Sequence, residues 1–207
     1  MKGLFVDRDG TLNGMVYDGT HGIMDSPRRP EQVALMPHAG AFLRGARELG
    51  YRIVVVTNQP GIAKGTLTEA ELEAVNGRLG ELLEAEGAGW DDLLYCPFHP
   101  DPGPGGRAEY ARLTDCRKPG PGMLLAAAEK HGIDLGESWM VGDGLVDVQA
   151  GRRAGCRTLL VSKVKLNEIE QFFILEDARP DALAGSLKEA LEVLRGERAP
   201  LVPRSDS

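Results

Sequence analysis

Runs of aliphatic residues recur at positions 3–6, 51–57, 92–96, 138–141 and 157–162. Stretches such as Ile53-Val54-Val55-Val56 are continuously apolar, the pattern of strands covered on both faces rather than strands with one wet side. Between the runs lie segments with apolar residues at helical spacing: 37–49, 68–86, 121–131 and 145–154, each followed by glycine at 50, 87, 132 and 155. Thr68 with Glu71 writes a capping box, and Pro121 stands in a first turn, where a missing N–H removes no helical hydrogen bond. Strand and helix in alternation predict an α/β fold, a Rossmann-like parallel sheet with helices on both faces. A last helix at 186–195 closes the chain.

Two stretches break the alternation. Residues 12–36 are polar and turn-rich, with Asp18-Gly19 and Pro27-Arg28-Arg29-Pro30, and read as a flap or loose hairpin beside the first strand. Residues 97–120 carry Pro97, Pro100, Pro102, Pro104 and Gly105-Gly106; they read as a long loop, of the kind that carries function in compact domains. Residues 163–182 read as a short helix at 166–175 and an edge strand. A single domain is expected over 1–198, with a tail over 199–207 whose Leu201-Val202-Pro203-Arg204 is either native or a protease-site remnant.

Composition narrows the partner. A chain of 207 residues with 42% hydrophobic content supports one core. A net charge of −7 argues against nucleic acid or an anionic membrane, so an anionic substrate requires cations placed locally. No stretch has the length of a membrane span, and Met1-Lys2 runs straight into a strand without a signal-peptide layout. Three cysteines do not make a disulfide framework. These features fit a soluble cytoplasmic enzyme, a monomer acting on a small molecule.

The chemistry sits at the strand tips. Asp7-Arg8-Asp9-Gly10-Thr11 follows the first run, at the edge where open α/β sheets present ligand-binding loops. Two carboxylates there can divide the roles of nucleophile and general acid around a divalent cation; a solvated turn would use the same residue types. Thr57-Asn58 ends the second run, offering phosphate oxygens a hydroxyl and an amide, or simply ending a strand. Lys64 follows in a loop, within reach of a substrate or solvated. Arg117-Lys118-Pro119 ends the long loop; its lysine, a compact point charge, suits a nucleophile and a phosphoryl group, although an isolated pair of this kind is usually surface. Val141-Gly142-Asp143 repeats the strand-then-turn pattern, with Asp147 one helical turn on. Asp143 is either a Mg²⁺ ligand, since that ion takes hard oxygen donors, or a helix N-cap.

Asp7-x-Asp9-Gly10-Thr11, Thr57, Lys118 and Gly142-Asp143-x-x-x-Asp147, in that order, resemble the four motifs of the haloacid dehalogenase superfamily of phosphohydrolases. Val56-Thr57-Asn58-Gln59-x-Gly61-Ile62-Ala63, Cys96-Pro97-x-His99-Pro100, Cys116-Arg117-Lys118-Pro119 and Gln149-Ala150-Gly151 further resemble the D-glycero-D-manno-heptose 1,7-bisphosphate phosphatases, with histidinol-phosphate phosphatases close by. The resemblance implies Asp7 as nucleophile, Asp9 as acid and base, and Mg²⁺ on Asp7, the Asp9 backbone carbonyl and Asp143. Thr57 and Asn58 would hold phosphoryl oxygens and Lys118 would orient Asp7. Arg117 would meet the sugar or its distal phosphate, and Asp147 would stand behind the metal ligands. The flap and the proline-rich loop are too short for a lid, which implies a capless fold with an open site. His21, Arg28 and Arg29 in the flap are then candidate substrate contacts, or solvated.

One departure bears on zinc. The heptose phosphatase pattern holds a structural zinc with Cys-x-His and Cys-x-Cys, whereas the inner positions here are Phe98 and Thr114. Cys96 and Cys116, with the shifted His99 or Asp115, leave a variant Zn²⁺ site open; the alternative is a loop held by its prolines and packing, with two ordinary thiols. Histidinol phosphate or another small phosphomonoester is the alternative substrate. A catalytically silent binding module on the same fold is the alternative of another class.

Overall fold

The computed structural model describes residues 1–19, 22–164, 166–175 and 177–198, with the backbone alone at 166, 167, 174 and 175. The expected tail at 199–207 and His21 of the flap lie outside the described residues. Six parallel strands form one sheet in the order β5-β4-β1-β6-β7-β8: β1 (Lys2–Val6), β4 (Arg52–Asn58), β5 (Asp92–Cys96), β6 (Asp134–Gly142), β7 (Arg157–Val161) and β8 (Ala182–Ala184). Period-two alternation sends consecutive residues to opposite faces. Leu4, Val6, Ile53 and Val55 join one core cluster, while Phe5, Val54 and Val56 join the other. Helices α1 (Ala39–Glu48), α2 (Glu69–Ala85) and α6 (Leu187–Leu194) contribute to the first cluster, and α3 (Gly122–His131) and α4 (Leu145–Ala154) to the second. The continuous apolar strands are therefore central strands of a doubly covered sheet, as their pattern predicts. Helix α5 spans Leu166–Leu175, and among the described residues no helix is long and apolar enough to cross a membrane.

The sheet register places the chemistry. Val6 pairs with Val55 on one side and Val141 on the other, so the tips of β1, β4 and β6 end level. Asp7, Thr57 and Asp143 each lie one or two residues past those partners, and the Asp7 N–H donates to the Val141 carbonyl at 2.9 Å. The chain leaves β1 toward β4 on one side and meets β6 on the other, a topological switch point.

Strand β6 starts earlier than the sequence pattern indicates. Its pairing with β1 jumps from Lys2↔Asp134 to Leu4↔Trp139, and the Ser138 hydroxyl at this irregularity accepts from the Gly3 N–H at 2.7 Å. Gly136 and polar Glu137, just before the run at 138–141, mask the start of the strand from a search for apolar runs. The capping box is present as written: the Thr68 side chain accepts from the Glu71 N–H at 3.2 Å, and the Thr68 N–H donates to Glu71 Oε2 at 2.7 Å. The flap is a short antiparallel hairpin, β2 (Val16–Asp18) with β3 (Ile23–Asp25).

In the long loop, the expectation of separate thiols is corrected: Cys96 and Cys116 are joined as a disulfide across 20 positions. The variant zinc site does not form either. Phe98 packs against Tyr110 at 5.7 Å between ring centroids and lies under the Arg112 guanidinium, and His99 Nδ1 accepts from the Asp101 N–H at 3.1 Å. Among the described residues, the candidate metal-binding cluster contains no cysteine or histidine. The positions that would complete a tetrahedral S/N set are thus an aromatic contact and a hydroxyl, while the imidazole is turned to backbone. Cys156 is buried in the core, and burial pushes its thiol up to about 12.

A cross-link closing a loop of this length restricts the unfolded chain by about 3 kcal/mol. Cys96→Ser, or reduction of the wild type, is expected to lower the unfolding free energy by that amount in urea melts. Coincident melts with and without reductant would show that the thiols are not joined.

Candidate active site

The ammonium of Lys118 lies where four segments meet. Its Nζ donates to Asp7 Oδ1 at 2.5 Å and to the Val56 carbonyl at 2.8 Å, and pairs with Asp147 Oδ1 at 2.6 Å. All three side chains are buried. The loop bearing Lys118 is pinned by Asn58 at the end of β4, whose Nδ2 donates to the Lys118 carbonyl at 2.9 Å and whose Oδ1 accepts from the Lys118 N–H at 3.0 Å. Asn58, expected among the phosphate ligands, therefore spends much of its side chain as a backbone clamp.

Asp7, Asp9, Thr57, Asn58, Lys118, Asp143 and Asp147 line one cleft of about 190 Å³, with Met15 and Ser26 contributed by the flap. Gly10 lets the first loop close on this cleft: its φ is +86°, and a Cβ there would stand 2.2 Å from Asp143 Oδ2. Thr11 Oγ1 reaches Asp143 Oδ1 at 3.4 Å, joining the first and last motifs. Arg117 is half-buried, with its guanidinium 3.4 Å from the Phe98 carbonyl. Among the described residues no carboxylate pairs with it, and it lies beside the cleft rather than in its lining.

Lys64 does not join the cleft. Its neighbours Ile62 and Ala63 are buried, the Lys64 N–H closes a turn onto the Pro60 carbonyl at 2.9 Å, and its side chain is left exposed. In the flap, Arg28 is paired with Asp25 and lies 3.8 Å from Asp18, while Arg29 is exposed. Gln59 and Asn13 are site residues that the sequence reading missed. Gln59 Nε2 donates to both Asp9 Oδ2 and Thr57 Oγ1 at 2.8 Å, and Asn13 Nδ2 donates to Asp9 Oδ1 at 3.0 Å. Asn13 follows Asp9 by four residues and Gln59 follows Thr57 by two, a closeness to motif residues that could have flagged them.

A family model described as HAD-hydrolase-like matches residues 115–190. A D-glycero-D-manno-heptose-1,7-bisphosphate 7-phosphatase of Chlorobaculum tepidum is 40% identical over 200 residues, covering 92% of this chain and 92% of the relative. A D-glycero-beta-D-manno-heptose-1,7-bisphosphate 7-phosphatase of Mesorhizobium japonicum is 38% identical, covering 94% and 84%. The crystal structure of D,D-heptose 1,7-bisphosphate phosphatase from B. bronchiseptica, complexed with magnesium and phosphate, aligns with a TM-score of 0.73 at 28% identity, covering 96% of this chain and 100% of that one.

Charge in the cleft favours a cation. Carboxylate oxygens of Asp7, Asp143 and Asp147 lie within 4.8 Å of one another, and three carboxylates face one ammonium. Burial pushes the Asp7 carboxyl up to about 8 against the pull of Lys118, with Asp147 and Asp9 adding to the rise. Partial desolvation and the Asp147 carboxylate push Asp143, which still faces solvent, up to about 6. Burial alone would lower Lys118, but Asp147 and Asp7 outweigh it and hold the ammonium charged. An all-oxygen, electron-rich set of this kind fits a hard divalent ion.

Because Asp7 and Asp143 bind protons more tightly folded than unfolded, where both start from 3.8, the metal-free protein loses stability as pH rises through this window. Thermal midpoints in chelator are expected to fall from about pH 4 through 6 and on toward 8, and excess magnesium salt is expected to restore them. A midpoint that climbs across this range in chelator would contradict the charge assignment.

Proposed function

The chain belongs to the D-glycero-D-manno-heptose-1,7-bisphosphate 7-phosphatase family of HAD-like hydrolases, and from that premise we propose that it removes the 7-phosphate of the heptose bisphosphate and leaves the 1-phosphate. It is a phosphoric monoester hydrolase. The observation that carries the reading is the convergence of Asp7, Thr57 and Asp143 at level strand tips with Lys118 from the loop before α3, all in a single chain.

Lys118 holds Asp7 Oδ1, which leaves Oδ2 to attack phosphorus. Thr57 Oγ1 accepts from Gln59, so its own proton is available to a phosphoryl oxygen, and the second amide hydrogen of Asn58 is available beside it. Asp9, held as a carboxylate before substrate arrives, takes the proton of the phosphate monoanion and passes it to the departing sugar oxygen as the phosphorus–oxygen bond breaks, and an aspartyl phosphate forms on Asp7. Asp9, again a carboxylate, takes a proton from the water that attacks the same phosphorus, which frees phosphate and regenerates Asp7. Asp7, the Asp9 backbone carbonyl and Asp143 would hold Mg²⁺, which when bound supplies positive charge against the repulsion between carboxylate and phosphate. Asp147 stays behind them, fixed by Lys118 and by the Gly144 N–H at 3.0 Å.

Arg117, half-buried without a carboxylate partner, suits the distal phosphate, because a guanidinium fork matches a pair of anionic oxygens. No role falls to Lys64. The reading takes the cytoplasm as the place of action, since sugar bisphosphates are too highly charged to cross a bilayer.

With Mg²⁺ present, phosphate release from heptose 1,7-bisphosphate is expected to exceed that from histidinol phosphate, with the 1-phosphate as product. Asp7→Asn is expected to lose on the order of 10⁴-fold or more in kcat. Preferential hydrolysis of histidinol phosphate would overturn the substrate, and full activity in Asp7→Asn would overturn the mechanism. Arg117→Ala is expected to raise KM for the bisphosphate about tenfold or more, the scale of one charge-assisted hydrogen bond, and to leave KM for a monophosphate nearly unchanged.

A further inference from the structure

Asp9 is held by more than its neighbours in the first motif. Arg8 Nε and one terminal nitrogen meet Asp9 Oδ1 at 3.1 and 3.0 Å, and the same terminal nitrogen meets Oδ2 at 2.8 Å. Asn13 and Gln59 supply one further donor to each oxygen. The Arg8 side chain is fully buried, 0% exposed. Its other terminal nitrogen donates to Asn76 Oδ1 at 2.6 Å, and Asn76 is a residue of α2, the helix that Leu72, Val75, Leu79 and Leu83 seat in the core. A guanidinium is planar, so a fork gripping both oxygens fixes the plane of a carboxylate as well as its position. An ammonium, as a point charge, would not.

We propose that Arg8 and Asn76 are positioning residues for Asp9: helix α2 sets the orientation of the proton-transferring carboxylate through a two-residue relay, a buried guanidinium backed by a half-buried amide, and never touches substrate. The inference rests on Asp9 being the acid and base. The proton moves from Asp9 to the leaving oxygen as the ester bond breaks and returns from water in the second step, and both transfers depend on where the carboxylate plane lies. Misplacement of a reacting group by about 1 Å can cost on the order of 10²-fold.

The test compares an alkyl ester, the heptose bisphosphate, with 2,4-dinitrophenyl phosphate, whose phenolate leaves without a proton. In Asn76→Ala, kcat on the alkyl ester is expected to fall about tenfold to a hundredfold with KM nearly unchanged. The first-turnover burst of dinitrophenolate should keep its wild-type rate, followed by slowed turnover as the aspartyl phosphate waits for its base. Asn76→Asp, which keeps the acceptor oxygen, should recover most of the loss. Arg8→Lys should behave as Asn76→Ala does; if it fails to fold, Asn76→Ala carries the test, with thermal midpoints recorded for each variant.

Wild-type kcat on the alkyl ester in Asn76→Ala would overturn the proposal. An equal loss in the dinitrophenolate burst would also overturn it, because the relay would then be acting on Asp7 or on the fold. Asp9→Asn separates the two levels. Full activity there removes the acid–base role itself, whereas an inactive Asp9→Asn beside an unaffected Asn76→Ala removes the relay alone.

Discussion

One buried ammonium organises the catalytic end of the sheet. Lys118 is shared by Asp7 at the tip of β1, Asp147 in the first turn of α4 and the Val56 carbonyl in β4. Losing the ammonium would leave two buried carboxylates uncompensated, a cost of about 3–5 kcal/mol, so the three segments are tied together by electrostatics as well as packing. The Lys118 loop would pay a large entropic penalty to deliver one side chain from the end of a long irregular stretch. Two devices shorten that search: the reciprocal Asn58 amide clamp on the Lys118 backbone, and the Cys96–Cys116 link two residues upstream.

The same geometry gives the paired acids of the first motif different surroundings. Asp7 lies against Asp147 and Asp9, and burial outweighs the pull of Lys118 to raise it. Asp9 is also buried, but the Arg8 guanidinium and the bonds from Arg8, Asn13 and Gln59 outweigh burial and hold it below the usual carboxylate range. Two residues apart in sequence, they are set apart by which cation each meets and from which direction. For Asp7 to work as an anion the cleft needs further positive charge, the condition that its oxygen cluster with Asp143 satisfies for a divalent ion.

Much of this was legible in the sequence because the sheet is so regular. Continuous apolar runs located the central strands, and level register then brought Asp7, Thr57 and Asp143 to one edge with no further information. What stayed hidden depended on contacts that sequence spacing does not encode. Asn76 borders the apolar stripe of α2 beside Val75 and a turn from Leu72 and Leu79, and nothing in its spacing shows that Arg8 reaches it. Asn58 reads as a phosphate ligand because a strand tip gives no hint that its amide faces another backbone. The start of β6 was lost because a register irregularity places polar residues inside a strand, and the Cys96–Cys116 pairing was lost because only the folded loop brings its two ends together. Lys64 was read as a cation near the site, but buried Ile62 and Ala63 fix which side of that turn faces out.

The open architecture divides recognition into two halves with different physics. The phosphoryl half is met by groups on strand tips, backed by the sheet and buried, so its geometry belongs to the fold itself. On the proposed reading the leaving half faces the short flap, through Met15 and Ser26, and the loop that ends at Arg117. Asp18 and Asp25 already occupy Arg28 of that flap, so its positive charge is compensated before any substrate arrives. Arg117 is half-buried with no carboxylate partner among the described residues, and on our reading selectivity for a second phosphate depends on it. A fold of this kind can change its substrate by altering the flap and one loop while the level strand tips and the Lys118 trio stay as they are.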